Sequence, residues 1–181
     1  MADILILAGP PAAGKSATAR ALADRYDRVA HIDVDVLRHF ITPTGYAKPG
    51  QPEARHQIKL AVLNASALAR NFIAERFGVI IDDIVPLPDL LELYVSGLKP
   101  CGVPVHFIRL MPSLEECLRR NKTSREGRRS PDFIEAVYAE IEAAGAFPGA
   151  RIDSTALTPE AAADRVQALT TAGESIIWSP E

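Results

Sequence analysis

Short apolar runs alternate with longer mixed segments along the whole of this chain. Five runs have the length and composition of buried β-strands: Ile4 to Ala8, Val29 to Asp33, Val79 to Asp83, Val103 to Leu110 and Ala150 to Asp153. The first contains only apolar residues, as expected for a strand covered on both faces. Strands that alternate with helices are typical of an α/β fold with a parallel sheet. We therefore predict a three-layer α/β/α domain around a five-stranded parallel sheet.

The intervals between these runs predict helices. The clearest is Glu53 to Phe77, where apolar residues recur at helical spacing and Gly78 is expected to end the helix. The other predicted helices cover Lys15 to Tyr26, Val34 to Ile41, Leu87 to Leu98, a segment that begins at a capping box of Ser113 and Glu116, a segment from Ser130 and Pro131 to Gly145, and Thr158 to Ala172. Prolines and glycines between Thr42 and Pro52 predict an irregular loop.

The composition indicates one globular domain over residues 1–181, with 48% hydrophobic and 24% charged residues. The net charge of −3 lacks the basic excess that is usual in dedicated nucleic-acid binders. No apolar run approaches the ~20 residues of a membrane span, and the first residues lack the basic region of a signal peptide. We therefore expect a cytoplasmic protein without a membrane partner. The sequence does not indicate an oligomeric state.

The segment GPPAAGKS matches the phosphate-binding pattern G-x-x-x-x-G-K-[ST] in full. Backbone N–H groups of such a loop, together with the following helix N-terminus, hold phosphate oxygens. Lys15 is expected to reach the β- and γ-phosphates, and the Ser16 hydroxyl is expected to bind Mg²⁺. The predicted nucleotide contacts are Gly9, Pro10, Pro11, Ala12, Ala13, Gly14, Lys15, Ser16 and Ala17. The pattern predicts binding of ATP with Mg²⁺.

Two carboxylates, Asp33 and Asp35, follow the second predicted strand. Ligands of an open parallel sheet lie at the carboxyl ends of its strands, which places both acids beside the phosphates. A kinase that acts on a hydroxyl needs a carboxylate there to orient the hydroxyl and to take its proton. Either acid could instead cap the following helix. Arg38 lies three residues after Asp35, on the same predicted helix face.

The third predicted strand ends in Asp82 and Asp83, a form typical of an acid that binds Mg²⁺ directly or through water. Because successive side chains of a strand point to opposite faces, only one of the two is expected to face the metal. The pattern leaves open which one it is.

An arginine-rich segment, Arg119 to Arg129, carries six basic residues and one acid. Such a run is often a solvated helix face, but Gly127 interrupts it, and the transferring phosphoryl group needs cations nearby. We predict a lid over about residues 119–131, with Arg120, Arg125 and Arg128 as candidate catalytic residues. Arg120 is also expected to contact the nucleotide. The turn Asp153-Ser154-Thr155 is expected to lie either near the adenine or in a plain strand-to-helix connection.

Together these segments resemble the small P-loop phosphotransferases that include chloramphenicol phosphotransferase and polynucleotide 5′-hydroxyl kinase, with zeta-toxin-like kinases as more distant relatives. The resemblance rests on GPPAAGKS, on Asp35 and Arg38 as D-x-x-R, and on VIIDD followed by Arg120-Asn121. It implies that Asp35 is the general base and that Arg38 lies near an acceptor phosphate. It also implies a kinase-type sheet with the second and third strands to one side of the first.

Three functions remain open at this point. The first is an ATP- and Mg²⁺-dependent phosphotransferase that acts on a hydroxyl of a small molecule, such as an antibiotic or a metabolite. The second is a kinase of nucleotides or nucleic-acid 5′ ends, which Arg38 favours. The third is an ATP-binding regulatory switch, which would have no need of an acceptor base. Residues 42–70, where the acceptor is expected to bind, match no relative well enough to identify the acceptor.

Overall fold

A computed structural model describes residues 3–41, 47, 51–123 and 129–180 of the chain. Six strands lie within these residues: β1 (Ile4–Ala8), β2 (Val29–Asp33), β3 (Gly78–Asp82), β4 (Val105–Leu110), β5 (Ala150–Ile152) and β6 (Ile176–Trp178). The helices are α1 (Lys15–Ala23), α2 (Val34–Arg38), α3 (Pro52–Ala74), α4 (Pro88–Leu98), α5 (Leu114–Thr123), α6 (Pro131–Ala143) and α7 (Pro159–Thr171). A short 3₁₀ turn, Lys99–Cys101, follows α4.

The five predicted strands form one parallel sheet in the order β2-β3-β1-β4-β5. The expectation that the second and third strands lie on one side of the first is therefore confirmed. A sixth strand that the sequence analysis did not predict, β6, pairs with β4 in the antiparallel direction. Ile177 and Trp178 of β6 pack against the core, so the end of the described chain lies against the domain.

Two hydrophobic layers cover the sheet. On one face, alternate residues of β1 such as Ile4 and Ile6 pack against α3 and α4. On the other face, Leu5 and Leu7 pack against α1 and α7. Because β1 is buried on both faces, its fully apolar composition is explained. The predicted three-layer α/β/α arrangement is confirmed, and it places the turns after β1, β2 and β3 at one edge of the sheet.

The end of α3 differs from the prediction. The helix stops at Ala74 instead of Phe77, and Arg76 follows it in a left-handed conformation at φ 63°. Gly78 instead begins β3, where its N–H donates to Arg28 O. Ser130 and Thr158 cap α6 and α7, since their hydroxyls accept from Phe133 N and Ala161 N respectively. In the described part of the chain, no helix is both long and apolar enough to cross a membrane.

Candidate functional site

The turn between β1 and α1 has the backbone of a phosphate-binding loop. Gly9, Ala12 and Gly14 have positive φ angles of 146°, 62° and 93°. A Cβ atom on Gly9 would lie 2.2 Å from Leu110 O, so only glycine fits there. Alternation of left- and right-handed residues turns successive N–H groups toward one side, which creates an anion-binding concavity.

The N-terminus of α1 faces this concavity without a side-chain cap. Gly14 is the N-cap residue and has no side chain with which to satisfy the first N–H groups of the helix. The first turn of α1 also contains no acidic residue. The ammonium group of Lys15 lies across the loop and donates to Pro10 O at 3.1 Å. The helix dipole, the free N–H groups and the lysine charge all favour a bound anion here.

Arg120 on α5 joins the phosphate loop to the turn between β5 and α7. Its Nη1 donates to Ala13 O at 2.9 Å, and its Nη2 donates to Ser154 O at 2.8 Å. Its Nε donates to Glu116 Oε1 at 2.7 Å. Hydrogen bonds from Arg119 and Arg120 lower the pKa of Glu116 to about 2. The guanidinium of Arg120 is therefore committed to holding two walls of the site together.

Between these two walls lies a cleft of about 530 Å³. Its lining comes from the phosphate loop, α1, α5 and the turn before α7: Ala13, Gly14, Ala17, Thr18, Glu116, Arg119, Arg120, Ser154, Thr155, Ala156, Leu157, Thr158, Pro159 and Ala162. Ser154 Oγ is buried in this lining with no hydrogen-bond partner among the described residues. A cleft next to a phosphate loop has the position and size to take a nucleobase and its sugar.

Asp82, the last residue of β3, points to the sheet face that α1 covers. Its strand neighbour on that face is Asp33 at the end of β2, because the two residues are paired in register. Burial and then the charge of Asp82 raise the pKa of Asp33. Asp82 is 4% exposed, and its Oδ2 has no hydrogen-bond partner in the described structure, although His31 Nε2 lies 3.5 Å away. Two carboxylates thus lie side by side, and the one on β3 has a buried oxygen without a hydrogen-bond partner in the described structure.

Asp83 points to the opposite face and has three partners. Its Oδ1 accepts from Arg38 Nη2 at 3.0 Å and from Ile84 N at 2.8 Å. Its Oδ2 accepts from the hydroxyl of Tyr94 at 2.8 Å. Asp83, Arg38 and Tyr94 are all buried. Burial, together with the charge of Asp83, raises the pKa of Tyr94 well above its usual value, so the phenol stays a hydrogen-bond donor.

Asp35, in the first turn of α2, lies between two arginines. Its Oδ1 accepts from Arg38 Nη1 at 3.4 Å, and its Oδ2 accepts from Arg129 Nη2 at 2.6 Å. Asp33 is the N-cap residue of α2, since its Oδ1 accepts from Asp35 N at 2.9 Å. The side chain of Asp35 remains 40% exposed. One acid therefore caps the helix, and the other pairs with two arginines while part of its side chain stays exposed.

The structure brings the predicted site residues into two groups. The phosphate loop and Arg120 form the first, and Asp35, Arg38 and Asp83 form the second. Arg125 and Arg128, two of the candidate lid residues, lie outside the described residues, so the proposed lid over 119–131 is described only at its two ends. Arg38, which the resemblance places near an acceptor phosphate, is 7% exposed and faces two carboxylates.

Two residues with prominent contacts were not identified from the sequence. Tyr94 lies on the apolar face of α4, and a phenol on such a face needs a hydrogen-bond partner, which is a usable signal. Arg129 contacts Asp35 across 94 sequence positions. No local pattern distinguishes Arg129 from the other arginines of its segment.

Comparison with solved structures shows the same fold in several proteins. The tunicamycin resistance protein of Deinococcus radiodurans is 21% identical, with a TM-score of 0.63 and coverage of 99% of both chains. A sugar kinase from Janibacter sp. HTCC2649 is 15% identical, with a TM-score of 0.72 and coverage of 93% of this chain and 94% of that one. Shikimate kinase from Acinetobacter baumannii is 17% identical, with a TM-score of 0.64 and coverage of 95% and 94%.

None of the curated proteins matches the sequence significantly. The sequence does match a family model described as an AAA domain, AAA_33, over residues 4–148. The resemblance to small P-loop kinases, predicted from the sequence, is thereby confirmed. Because the match covers most of the chain, the protein belongs to the AAA_33 family, and its fold is that of P-loop kinases.

Proposed function

We propose that this protein is an ATP- and Mg²⁺-dependent phosphotransferase that transfers the γ-phosphoryl group of ATP to a hydroxyl of a small molecule. The observation that carries the proposal is the position of Asp35. This carboxylate follows β2 at the sheet edge where the phosphate loop lies, it is partly exposed, and Asp33 rather than Asp35 caps the helix. A nucleotide switch needs no such carboxylate, whereas a kinase needs an acceptor base.

The residues present fit ATP and Mg²⁺. The positive φ angles of the loop and the uncapped start of α1 suit a polyphosphate. A buried carboxylate oxygen without a hydrogen-bond partner, Asp82 Oδ2, suits a hard cation. Ser16 and Asp82 would hold the Mg²⁺, with Asp33 next to them, and the metal would neutralise charge on the phosphate oxygens. Asp83 is the weaker candidate ligand because Arg38, Tyr94 and Ile84 N already occupy it.

The chain's own groups would carry the transfer as follows. The N–H groups of the loop and the ammonium of Lys15 stabilise negative charge on the β- and γ-phosphates. Asp35 orients the acceptor hydroxyl and takes its proton while the new oxygen–phosphorus bond forms and the bond between the γ-phosphorus and the β-bridging oxygen breaks. ADP leaves with the electron pair of the broken bond. Arg120 keeps the nucleobase cleft aligned with the loop.

Two observations support a small acceptor. Arg38 is buried and faces two carboxylates, which leaves little of its guanidinium for a terminal phosphate of a nucleotide or nucleic acid. Structural neighbours of the chain include a tunicamycin resistance protein, a sugar kinase and a shikimate kinase with shikimate bound. We therefore favour a hydroxyl compound of that size over a nucleic-acid 5′ end.

The test is transfer of labelled γ-phosphate from ATP to a panel of antibiotic, sugar, nucleoside and oligonucleotide acceptors. Lys15→Ala is expected to abolish transfer. Asp35→Asn is expected to keep ATP binding and to lower transfer by ~10²-fold or more, because it removes the proton acceptor. Asp164→Asn changes an exposed carboxylate that pairs with Arg25 far from the loop, and it serves as the matched control.

Different results would lead to different conclusions. Transfer that survives Lys15→Ala would overturn the site assignment. If Asp33→Asn lowers transfer and keeps ATP binding, as expected for Asp35→Asn, the base is Asp33. ATP binding without any labelled acceptor in a broad panel would favour the regulatory switch. Preferential labelling of the oligonucleotides would favour the nucleic-acid kinase.

A further inference from the structure

Arg129 donates a hydrogen bond to Asp35, the carboxylate that we propose as the proton acceptor. Its Nη2 lies 2.6 Å from Asp35 Oδ2, the shortest contact that either oxygen of Asp35 makes with the two arginines. A carboxylate oxygen that accepts a strong charge-assisted hydrogen bond is a poor acceptor for a second proton. Arg129 therefore competes with an acceptor hydroxyl for Oδ2, and this oxygen becomes a good proton acceptor once Arg129 has left it.

The main chain at Arg129 is fixed independently of this contact. Asn121 on α5 donates from Nδ2 to Arg129 O at 2.9 Å and accepts at Oδ1 from Arg129 N at 3.0 Å. Asn121 itself is 7% exposed, so these hydrogen bonds are shielded from water. The side chain of Arg129 can thus change partners while its backbone stays in place.

Arg38, Arg120 and Arg129 differ in how freely they can move. Arg120 donates to carbonyls of both walls of the cleft, and Arg38 is buried against Asp83. The side chain of Arg129 is 44% exposed, and the side chain of Asp35, with which it pairs, is 40% exposed. An ion pair that is open to water is weak, and it yields readily to a stronger anion. The triphosphate is such an anion.

Resting on the function proposed above, we propose that Arg129 blocks Asp35 while ATP is absent. When ATP binds, the guanidinium of Arg129 leaves Asp35 and contacts the γ-phosphoryl group instead. The same movement would free the base and bring a cation to the transferring group. The acceptor hydroxyl could then approach Oδ2 only once ATP is in place. Arg129 would be a catalytic residue with a second role as the gate on the base.

The exchange can be measured without any acceptor, from the affinities for ATP and ADP in the presence of Mg²⁺. The ratio of the ADP to the ATP dissociation constant isolates what the γ-phosphate contributes. Isothermal titration of the full chain would compare the wild type with Asp35→Asn, Arg129→Gln and the double variant. Arg151→Gln is the matched control, because Arg151, on β5, forms an exposed pair with Glu142 of α6. Thermal melting of each variant confirms that it is folded.

Arg129→Gln is expected to lower the ratio by about tenfold or more, since a charge-assisted hydrogen bond to the γ-phosphate is lost. Asp35→Asn is expected to raise it by about 2–5-fold, because ATP no longer has to displace an exposed ion pair. In the Arg129→Gln background, Asp35→Asn should have no such effect, since there is no guard to release. Arg151→Gln should leave the ratio unchanged.

The double variant distinguishes the change of partner by Arg129 from simple repulsion between Asp35 and the γ-phosphate. If Asp35 only repels the γ-phosphate, Asp35→Asn raises the ratio equally in both backgrounds, and the exchange is wrong. An unchanged ratio in Arg129→Gln would also overturn it. Failure of the wild type to bind either nucleotide would instead refute the proposed function, so the two ideas fail in different ways.

Discussion

Asp82 and Asp83 are neighbours in the chain, but they lie in opposite environments. Asp83 has hydrogen bonds from Arg38, Tyr94 and Ile84 N on the α4 side of the sheet. Asp82, on the α1 side, has a buried oxygen without a hydrogen-bond partner in the described structure and lies in register with Asp33, a second carboxylate. Both acids are about equally buried, at 4% and 5% exposure, so burial alone does not distinguish them.

The difference indicates how each acid contributes. A buried charge with a full set of partners stabilises the particular fold that supplies them, and loss of one partner is costly. A buried carboxylate without such partners costs stability unless a cation satisfies it. We therefore propose that Asp83 stabilises the fold and that Asp82 binds Mg²⁺. The predictions below test this assignment, beginning with the largest expected change in free energy.

Asp83→Ala is expected to lower the free energy of unfolding by about 3–5 kcal/mol, because Arg38 would be left buried without its closest carboxylate. For a protein of this size the melting temperature would fall by roughly 6–20 °C. Calorimetry or thermal melting measures the effect. Asp164→Ala, at an exposed ion pair, is the control and should change little. A melting temperature within about 2 °C of the wild type would contradict the structural role of Asp83.

Tyr94→Phe tests the structural role of Asp83 through one of its hydrogen bonds. It removes the hydroxyl that donates to Asp83 Oδ2 without opening a large cavity. A hydrogen bond to a charged group contributes about 1.5–3 kcal/mol, so the unfolding free energy should fall by that amount in denaturant titrations. In the Asp83→Ala background the effect should be much smaller, because the acceptor is gone. Additive losses would show that Tyr94 acts through its packing rather than through Asp83.

Asp82→Asn tests whether Asp82 binds the metal. We expect the affinity for Mg²⁺ in the presence of ATP, and with it the rate of phosphoryl transfer, to fall by about 10–100-fold. The melting temperature without metal should not fall, since the variant removes a buried charge that lacks a full set of partners. Titration of Mg²⁺ against turnover, next to Asp83→Asn, measures the contrast. If Asp83→Asn shifts the Mg²⁺ dependence more than Asp82→Asn does, the two roles are reversed.

Local patterns predicted much of this fold. The bounds of β1 and β2 agree with the prediction, because a fully apolar run and the turns that flank it are local signals. The strand β6 was missed, since its three residues pair with β4 through a contact that only the assembled sheet provides. The end of α3 was also misplaced, because a glycine is the usual left-handed residue and here Arg76 takes that conformation.

The site shows the same division. The phosphate loop is one continuous segment, so sequence spacing located it. Which face Asp82 and Asp83 point to depends on strand register, and the contact between Asp35 and Arg129 joins residues that are far apart in the chain. Such long-range partners carry no signal in a single sequence. The catalytic roles of these residues remain predictions that the experiments above test.

Asp33→Asn is expected to change stability least among these substitutions, and the direction of the change follows from the pKa of Asp33. Burial and the nearby Asp82 raise the pKa of Asp33 in the folded protein above 3.8, the value expected without these effects. A raised folded pKa means that folding takes up protons, so stability is lost as the pH rises through the folded pKa. Asparagine removes the charge and can still accept the cap hydrogen bond from Asp35 N.

At pH 7, Asp33→Asn is therefore expected to raise the melting temperature by about 1–3 °C, a modest value because water screens this half-exposed group. The gain should shrink as the pH is lowered through the folded pKa, because the wild-type carboxyl is then protonated. Melting curves of both proteins between pH 4 and pH 8, without Mg²⁺, measure this difference. A lower melting temperature at pH 7, or a gain that grows on acidification, would show that Asp33 is stabilised as an anion by the fold itself. The contrast between the two sides of β3 would then not hold, because the α1 side would satisfy its carboxylates as fully as the α4 side does.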